Sequence, residues 1–238
     1  MVYNWLLNKH NCLYPYICSL CGSTSDLQID LCKDCLDDLV CDNSACIRCG
    51  LPLTGQSGQS FCGQCLRKPP QYHGTFAAFT YSTPLTGLIT QLKFNGKIQL
   101  ARVLAEAWLQ RFAHAGIPLP DAILPVPLHR RRIWNRGYNQ ALEIARPIAR
   151  HFNLPLLSGH VLRTRHTAAQ STLLSRQRKA NVRGCFKIAR RLPFQRIAIV
   201  DDVVTTGSTV QELARMLVSE GVREIYVWCI ARAMSRQN

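Results

Sequence analysis

The sequence has no long apolar run and little negative charge. Its longest apolar stretches are only a few residues, such as 225–231, whereas a membrane-spanning helix needs about 20. Neither a span nor membrane insertion is expected. The N-terminus lacks the apolar core and small-residue cleavage site of a secretion signal, because Trp5-Leu6-Leu7 is followed at once by Asn8, Lys9 and His10. A cytoplasmic location is therefore expected. Low-complexity tracts are also missing, and 47% of residues are apolar, which excludes a chain too polar to fold. Acids number 14 among 238 residues against 29 Lys and Arg, a formal net charge of +15. That length suits one full domain plus a small one.

Beyond residue 65 cysteine nearly vanishes: 10 of the 12 lie before residue 66. Charge shifts at the same place. Residues 1–70 hold 5 Lys or Arg and 6 Asp or Glu (net −1), and residues 71–238 hold 24 and 8 (net +16). From Leu128 to Arg196 there are 16 Lys or Arg and one acid, Glu143. Two modules are expected, residues 1–70 and 71–238, meeting near Arg67-Lys68-Pro69-Pro70-Gln71.

Eight of the early cysteines form four Cys-x-x-Cys pairs: Cys18/Cys21, Cys32/Cys35, Cys46/Cys49 and Cys62/Cys65. Ten residues separate the first pair from the second, and twelve the third from the fourth. Each pair turns two thiolates toward one centre, and two pairs complete the tetrahedral sulfur shell of Zn²⁺. A disulfide framework or a run of redox pairs is the rival. The lack of a secretion signal and the even spacing of the pairs argue for two structural zinc sites. Gly22, Gly50 and Gly63, each following a knuckle cysteine, suit left-handed backbone there. Pairing first with second and third with fourth makes tandem ribbons; an interleaved cross-brace fits the spacing too. Cys12 and Cys41 are spare, and either could replace a neighbouring ligand. A module this small needs a metal to stay folded. Each four-thiolate site carries −2, bringing the whole-chain charge to about +11 and leaving the module itself acidic, unsuited to gripping DNA by charge alone.

In the basic module, residues 76–81 predict a strand, and Leu85, Leu88, Ile89 and Leu92 mark a short helix. Leu100, Val103, Leu104, Ala107, Trp108 and Phe112 give residues 99–114 a clear helical period. Residues 121–127 predict a short buried strand ended by prolines. A polar loop is expected next, then a helix from about Asn139 that Pro147 kinks or breaks. Residues 163–184 are polar and basic, which predicts a long mobile loop. Arg196–Val200 is a strand ending in Asp201-Asp202; a helix with Val210, Leu213, Ala214, Leu217 and Val218 on one face stops at Gly221, and residues 224–230 form the last strand. Cys185 and Cys229 fall at strand positions as core residues. Strand and helix alternate, so the fold class is α/β, a mostly parallel sheet flanked by helices.

The sharpest segment runs from Ile197 to Thr209. Two carboxylates stand at the end of a buried strand, where α/β sheets place ligands. A small, hydroxyl-rich loop then enters a helix N-terminus. Its amides, with the hydroxyls of Thr205, Thr206, Ser208 and Thr209, suit a phosphate at the positive end of the helix dipole, and Gly207 permits close approach. Asp201 and Asp202 suit two vicinal ribose hydroxyls with Mg²⁺ nearby. The plain alternative is a buried strand whose turn merely caps the next helix. A nucleotide P-loop is disfavoured, since no Gly-Lys-Ser/Thr follows.

Val200–Thr209 resembles the phosphoribosyl pyrophosphate (PRPP) signature of type I phosphoribosyltransferases. With the double ribbon, Pro125-Val-Pro-Leu-His129, Arg136-Gly-Tyr-Asn-Gln140 and the spaced Arg163/Thr167/Gln170/Leu174/Arg178/Asn181 pattern, the chain resembles the ComF/GntX-like family from about Cys18 to Arg232. The resemblance implies a type I phosphoribosyltransferase-like sheet behind a double zinc ribbon, PRPP binding, and a role in competence or DNA utilisation. DNA-uptake machinery is the implied protein partner. Asp201 and Asp202 would hold the ribose, Thr205, Thr206, Gly207, Ser208 and Thr209 the 5′-phosphate, and the loop after residues 121–126 the pyrophosphate. Cations for that loop come from Arg130, Arg131 and Arg132, and the sequence does not distinguish which of them points inward and which belongs to a solvated basic turn. Arg130 and Arg131 are the PRPP-binding candidates, and Arg130 joins Asp201 and Asp202 as the catalytic candidates. Residues 163–184 sit where the fold keeps its hood, whose closure excludes water. His129 and His166 are proton-transfer candidates against the ordinary reading of surface histidines.

Two functions follow. One is an enzyme moving phosphoribose from PRPP to an unidentified nitrogenous acceptor, nucleobase salvage included. The other is a DNA-handling protein whose PRPP pocket is a sensor or relic. The basic stretch 128–196 favours single-stranded DNA or another polyanion. Trp134 and Tyr138, interleaved with Arg130–Arg132 and Arg136, either stack on bases or pack under the next helix.

Overall fold

The computed structural model describes residues 15–42, 44–53, 60–165 and 183–234. Cys12 and His166 lie outside them, as does the pattern from Thr167 to Asn181. In chain order the first elements are β1 (Tyr16–Ile17), β2 (Thr24–Ser25), α1 (Lys33–Asp37) and α2 (Gly63–Arg67). The basic part follows with β3 (Gly74–Thr80), α3 (Leu85–Phe94), α4 (Leu100–Phe112), β4 (Ala122–Pro125), α5 (Arg130–Arg136) and α6 (Gln140–His151). It ends with β5 (Val161–Arg163), β6 (Phe186–Ile188), β7 (Arg196–Val204), α7 (Ser208–Ser219) and β8 (Glu224–Arg232).

Four parallel strands form one sheet in the order β3-β8-β7-β4. The two central strands are apolar on both faces, as a sheet covered twice requires. On β8, Trp228 and Ile230 join a core with α3, α4 and α6, while Ile225, Val227 and Cys229 join a second core with α7. Trp108 of α4 stacks on Trp228 at 5.0 Å between ring centroids. The free edge of β3 is covered by the cysteine-rich part: the Thr75 amide bonds the Ile47 carbonyl at 2.9 Å, and the Thr80 amide bonds that of Val40 at 2.8 Å. Pairing with foreign backbone is how an edge strand is protected.

The small module repeats one design. In each half the first Cys-x-x-Cys closes a turn through a glycine amide: Gly22 to the Cys18 carbonyl at 2.9 Å and Gly50 to that of Cys46 at 2.8 Å. Both glycines have positive φ, 77° and 68°. Gly63 does not; it opens α2, and Cys62 stands at its N-cap as Cys32 does for α1.

Several expectations change. The polar loop before residue 139 contains helix α5, capped by the His129 side chain, which accepts from the Arg131 amide at 3.2 Å, and ended by Gly137 at φ 87°. None of its residues is buried, so no apolar period reveals it. Helix α6 runs unbroken through Pro147. Strand β7 does not end at the acids but continues to Val204, because β8 pairs beside it as far as Arg232. The ends of the long basic segment form an antiparallel pair, β5 with β6, and Cys185 lies buried just before β6.

Candidate functional site

The carboxyl end of β7 opens onto a cavity of about 760 Å³. Asp202 is 2% exposed there, and its Oδ2 lies 2.5 Å from Nζ of Lys93, delivered by the last turn of α3. Burial opposes the Asp202 charge, but the Lys93 ammonium outweighs it and holds the carboxyl below the usual range. Burial, and then the Asp202 charge, push Asp201 well above that range. Lys93 itself is raised: burial works against its charge and Asp202 overcomes it. The acid pair therefore shares its charge unequally, with Asp202 ionised by preference. The Asp202 amide donates to Asp201 Oδ1 at 2.9 Å, fixing the neighbour's side chain.

Three arginines complete the wall: Arg132 and Arg136 from α5, and Arg163 from β5. Burial, and then the charges of Arg163 and Arg136, depress Arg132 below the ordinary guanidinium value. Arg136 is fixed by a 2.5 Å bond to Gln140 Oε1 and lies 5.5 Å from the Phe94 ring centre. Gathered cations with only two facing carboxylates make an electropositive recess suited to a di- or triphosphate.

Beside it, Thr205–Gly207 turns the chain from β7 into α7. Gly207 has φ 75° and no side chain with which to cap this twelve-residue helix, and the Ser208 amide instead meets the Thr206 hydroxyl at a long 3.4 Å. The Thr206 and Ser208 hydroxyls bond each other at 2.8 Å. Thr205 and Thr209 line the cavity with the two acids. The arrangement presents, side by side, acceptors for sugar hydroxyls, amides for one phosphate and cations for further phosphates.

In the small module the four thiols Cys18, Cys21, Cys32 and Cys35 lie within 4.8 Å of one another, as do Cys46, Cys49, Cys62 and Cys65. Pairing is therefore sequential, and the cross-brace is excluded. Cys21 and Cys32 Sγ stand 3.7 Å apart, and Cys49 and Cys62 Sγ 3.6 Å. A tetrahedron with zinc–sulfur bonds of about 2.3 Å has edges of roughly 3.8 Å, so the donor sets fit zinc. The Cys62 amide points at Cys46 Sγ at 3.3 Å, an outer bond typical of thiolate ligands.

Residues 10–66 match the family described as Double zinc ribbon domain, and residues 139–238 the Phosphoribosyl transferase domain. The chain is 38% identical over 225 residues to the DNA utilization protein YhgH of Escherichia coli K12, covering 92% of this chain and 98% of that one. The chain belongs to the ComF/GntX-like family. Competence protein F of Haemophilus influenzae is 37% identical over 195 residues, covering 79% and 84% of the two chains. Competence protein ComFC of Bacillus subtilis is 23% identical over 184 residues, covering 74% and 72%. Both four-cysteine clusters of this ComF/GntX-like chain are zinc sites of the double ribbon. Among the described residues no helix is long and apolar enough to cross a membrane.

Of the residues singled out in the sequence, the fold gathers Asp201, Asp202, Thr205 and Thr209 at the cavity, with Thr206, Gly207 and Ser208 forming the adjoining turn. It does not bring Arg130 or Arg131 there; both are exposed on α5, while Arg132 lines the cavity. His129 serves as the cap of α5. Trp134 is 88% exposed, whereas Tyr138 is half-buried and donates to the Leu92 carbonyl. Sequence reasoning missed Lys93. It reads as a surface lysine ending an amphipathic helix, and only the packing of α3 against the sheet reveals its partner.

Proposed function

We propose that this chain binds Mg·PRPP in the β7 cavity and serves in DNA utilisation or competence, the roles its relatives are named for, through the use of external DNA. The observation that carries the reading is the acid pair, Asp201 half-buried and Asp202 buried, lining one cationic recess together with Thr205 and Thr209 at the two ends of the Gly207 turn. In this reading the basic domain spans residues 71–238 and the ribbons residues 1–70, in the cytoplasm. Asp201 and Asp202 accept the ribose hydroxyls, and the amides and hydroxyls of Thr205–Thr209 hold the 5′-phosphate. The diphosphate falls to Lys93, Arg132, Arg136 and Arg163. Asp201 and Asp202 are the residues that would hold Mg²⁺, which would supply neutralisation of the diphosphate charge.

The same cations stabilise the diphosphate as it leaves C1′ and so equip the site for transfer to a nitrogenous acceptor. Arg130 and Arg131, exposed on α5 and outside the cavity lining, take no diphosphate contact in this reading. The deciding experiment follows pyrophosphate release from PRPP with Mg²⁺ and pooled bases, nucleosides and single-stranded DNA. Acceptor-dependent release makes the chain a transferase; tight binding without turnover makes the pocket a sensor.

Trp134 favours a nucleic-acid partner as well: its ring is 88% exposed in the same helix as the exposed Arg130 and Arg131. Trp134→Ala is expected to weaken single-stranded DNA binding by about 1–3 kcal/mol. Affinity of the unaltered chain should fall steeply from low to moderate salt. Fluorescence anisotropy measures both, and a flat salt response would dispose of this surface.

A further inference from the structure

Arg232 ends β8, is 5% exposed and reaches two separate parts of the chain. Its Nε donates to the Cys49 carbonyl at 2.7 Å. Its Nη1 donates to the carbonyls of Val204 and Ala233, both at 2.9 Å, and to that of Thr205. Cys49 is a ligand of the second zinc site, and Thr205 begins the turn that leads through Gly207 into α7. One buried guanidinium thus joins a metal-binding knuckle to the turn assigned to the 5′-phosphate.

The knuckle is held tightly on its other side. A Cβ on Gly50 would stand 2.9 Å from Thr75 Cγ2 and 3.7 Å from Arg232 Cδ. Thr75 bonds the knuckle twice, amide to the Ile47 carbonyl at 2.9 Å and hydroxyl to the Arg48 carbonyl at 2.6 Å. A buried cation served by carbonyls from different segments is stable only while those carbonyls stay in place. The knuckle in turn keeps its shape through its metal, because folding of so small a unit is coupled to zinc binding.

We propose that Arg232 is a positioning residue through which the metal state of Cys46, Cys49, Cys62 and Cys65 sets PRPP affinity at the Thr205–Thr209 turn. The proposal rests on the PRPP reading above. Loss of the second zinc frees the knuckle and withdraws the Cys49 carbonyl. Arg232 then shifts toward water and releases the Thr205 carbonyl, so the turn no longer presents its amides in a fixed array. The coupling runs through contiguous contacts, and the metal-free arrangement just described is the second state that linked sites require. The first ribbon meets the sheet elsewhere, through Val40 and through Leu31 and Leu39 in the apolar core.

The test uses the full-length chain with three substitutions. Cys65→Ser removes a ligand of the second zinc. Arg232→Lys keeps the charge but replaces the planar fork, which cannot be reproduced by a single ammonium. Leu66→Ser alters an exposed residue of the same ribbon, 68% accessible, as the control. Calorimetry with Mg·PRPP is expected to show affinity at least about tenfold weaker for Cys65→Ser and Arg232→Lys, and unchanged for Leu66→Ser. Arg232→Lys should still carry two zinc ions, which separates its effect from loss of the ribbon. Wild-type affinity in Cys65→Ser or Arg232→Lys would overturn the proposal. Hydrogen exchange across residues 203–209 without ligand provides an arm independent of PRPP: faster exchange in Cys65→Ser and Arg232→Lys supports the link, and exchange equal to the control in both refutes it. Should the unaltered chain take up no PRPP, the functional reading fails by itself and the exchange result alone decides the link.

Discussion

Replacing Asp201 and Asp202 together by Asn is expected to lower Mg·PRPP affinity about a hundredfold or more in titration calorimetry. Hydrogen bonds to a charged acceptor contribute roughly 1.5–3 kcal/mol each, and two are lost. Binding of single-stranded DNA should change little, because the exposed surface around Trp134 is separate from the acid pair. The single variants separate binding from stability. Asp201→Asn leaves the Asp202–Lys93 pair in place. Asp202→Asn strips Lys93 of its partner; breaking a buried pair costs about 3–5 kcal/mol, and somewhat less here because Lys93 keeps 22% of its side chain exposed. Urea unfolding distinguishes the two. The pH dependence has opposite signs for the two acids. The depressed Asp202 contributes stability that is present above the ordinary carboxylate range and lost as pH falls through its folded value. Asp201 is raised, so its contribution declines as pH rises from the ordinary range toward its folded value. A ligand that requires both acids ionised must expel the Asp201 proton. PRPP binding should then tighten with rising pH, and its heat should depend on the ionisation enthalpy of the buffer.

Removing zinc should have the largest effect on the fold. The purified chain is expected to carry two zinc ions, and a strong chelator should unfold residues 15–67. Structural zinc in small domains contributes about 10–16 kcal/mol of apparent binding energy, more than so small a module gains from burying apolar surface. The damage should reach the sheet edge, because β3 relies on Ile47 and Val40 for backbone partners. Proteolysis after chelation should therefore open the ribbons first and then the start of β3, leaving the interiors of β7, β8 and α7 protected while the turn at residues 203–209 loosens. A metal-free chain resistant to protease over residues 15–67 would contradict this account.

Local chemistry was legible in the sequence, and tertiary convergence was not. The four Cys-x-x-Cys pairs declare themselves because sulfur ligation needs fixed residues at a fixed spacing. Their pairing does not, since intervals of ten and twelve residues admit either connection. Strand, acid pair and hydroxyl-rich turn occupy one short run, so their placement at the end of β7 could be read directly. The cationic wall could not. Arg130, Arg131 and Arg132 are equivalent in sequence, and only the phase of α5, with successive residues about 100° apart, turns Arg132 alone to the cavity. That helix was itself hidden, because it buries nothing and is defined by its caps at His129 and Gly137. Lys93 and Arg232 acquire meaning only from partners far along the chain, Asp202 for one and Cys49 with Thr205 for the other.

The most direct measurement is a crystal structure of the zinc-loaded chain with Mg²⁺ and PRPP. The ribose should lie against Asp201 and Asp202, the 5′-phosphate on the amides of Thr206–Thr209, and the diphosphate among Lys93, Arg132, Arg136 and Arg163. Bound PRPP elsewhere, or a cavity holding only solvent at saturating ligand, would contradict the central assignment.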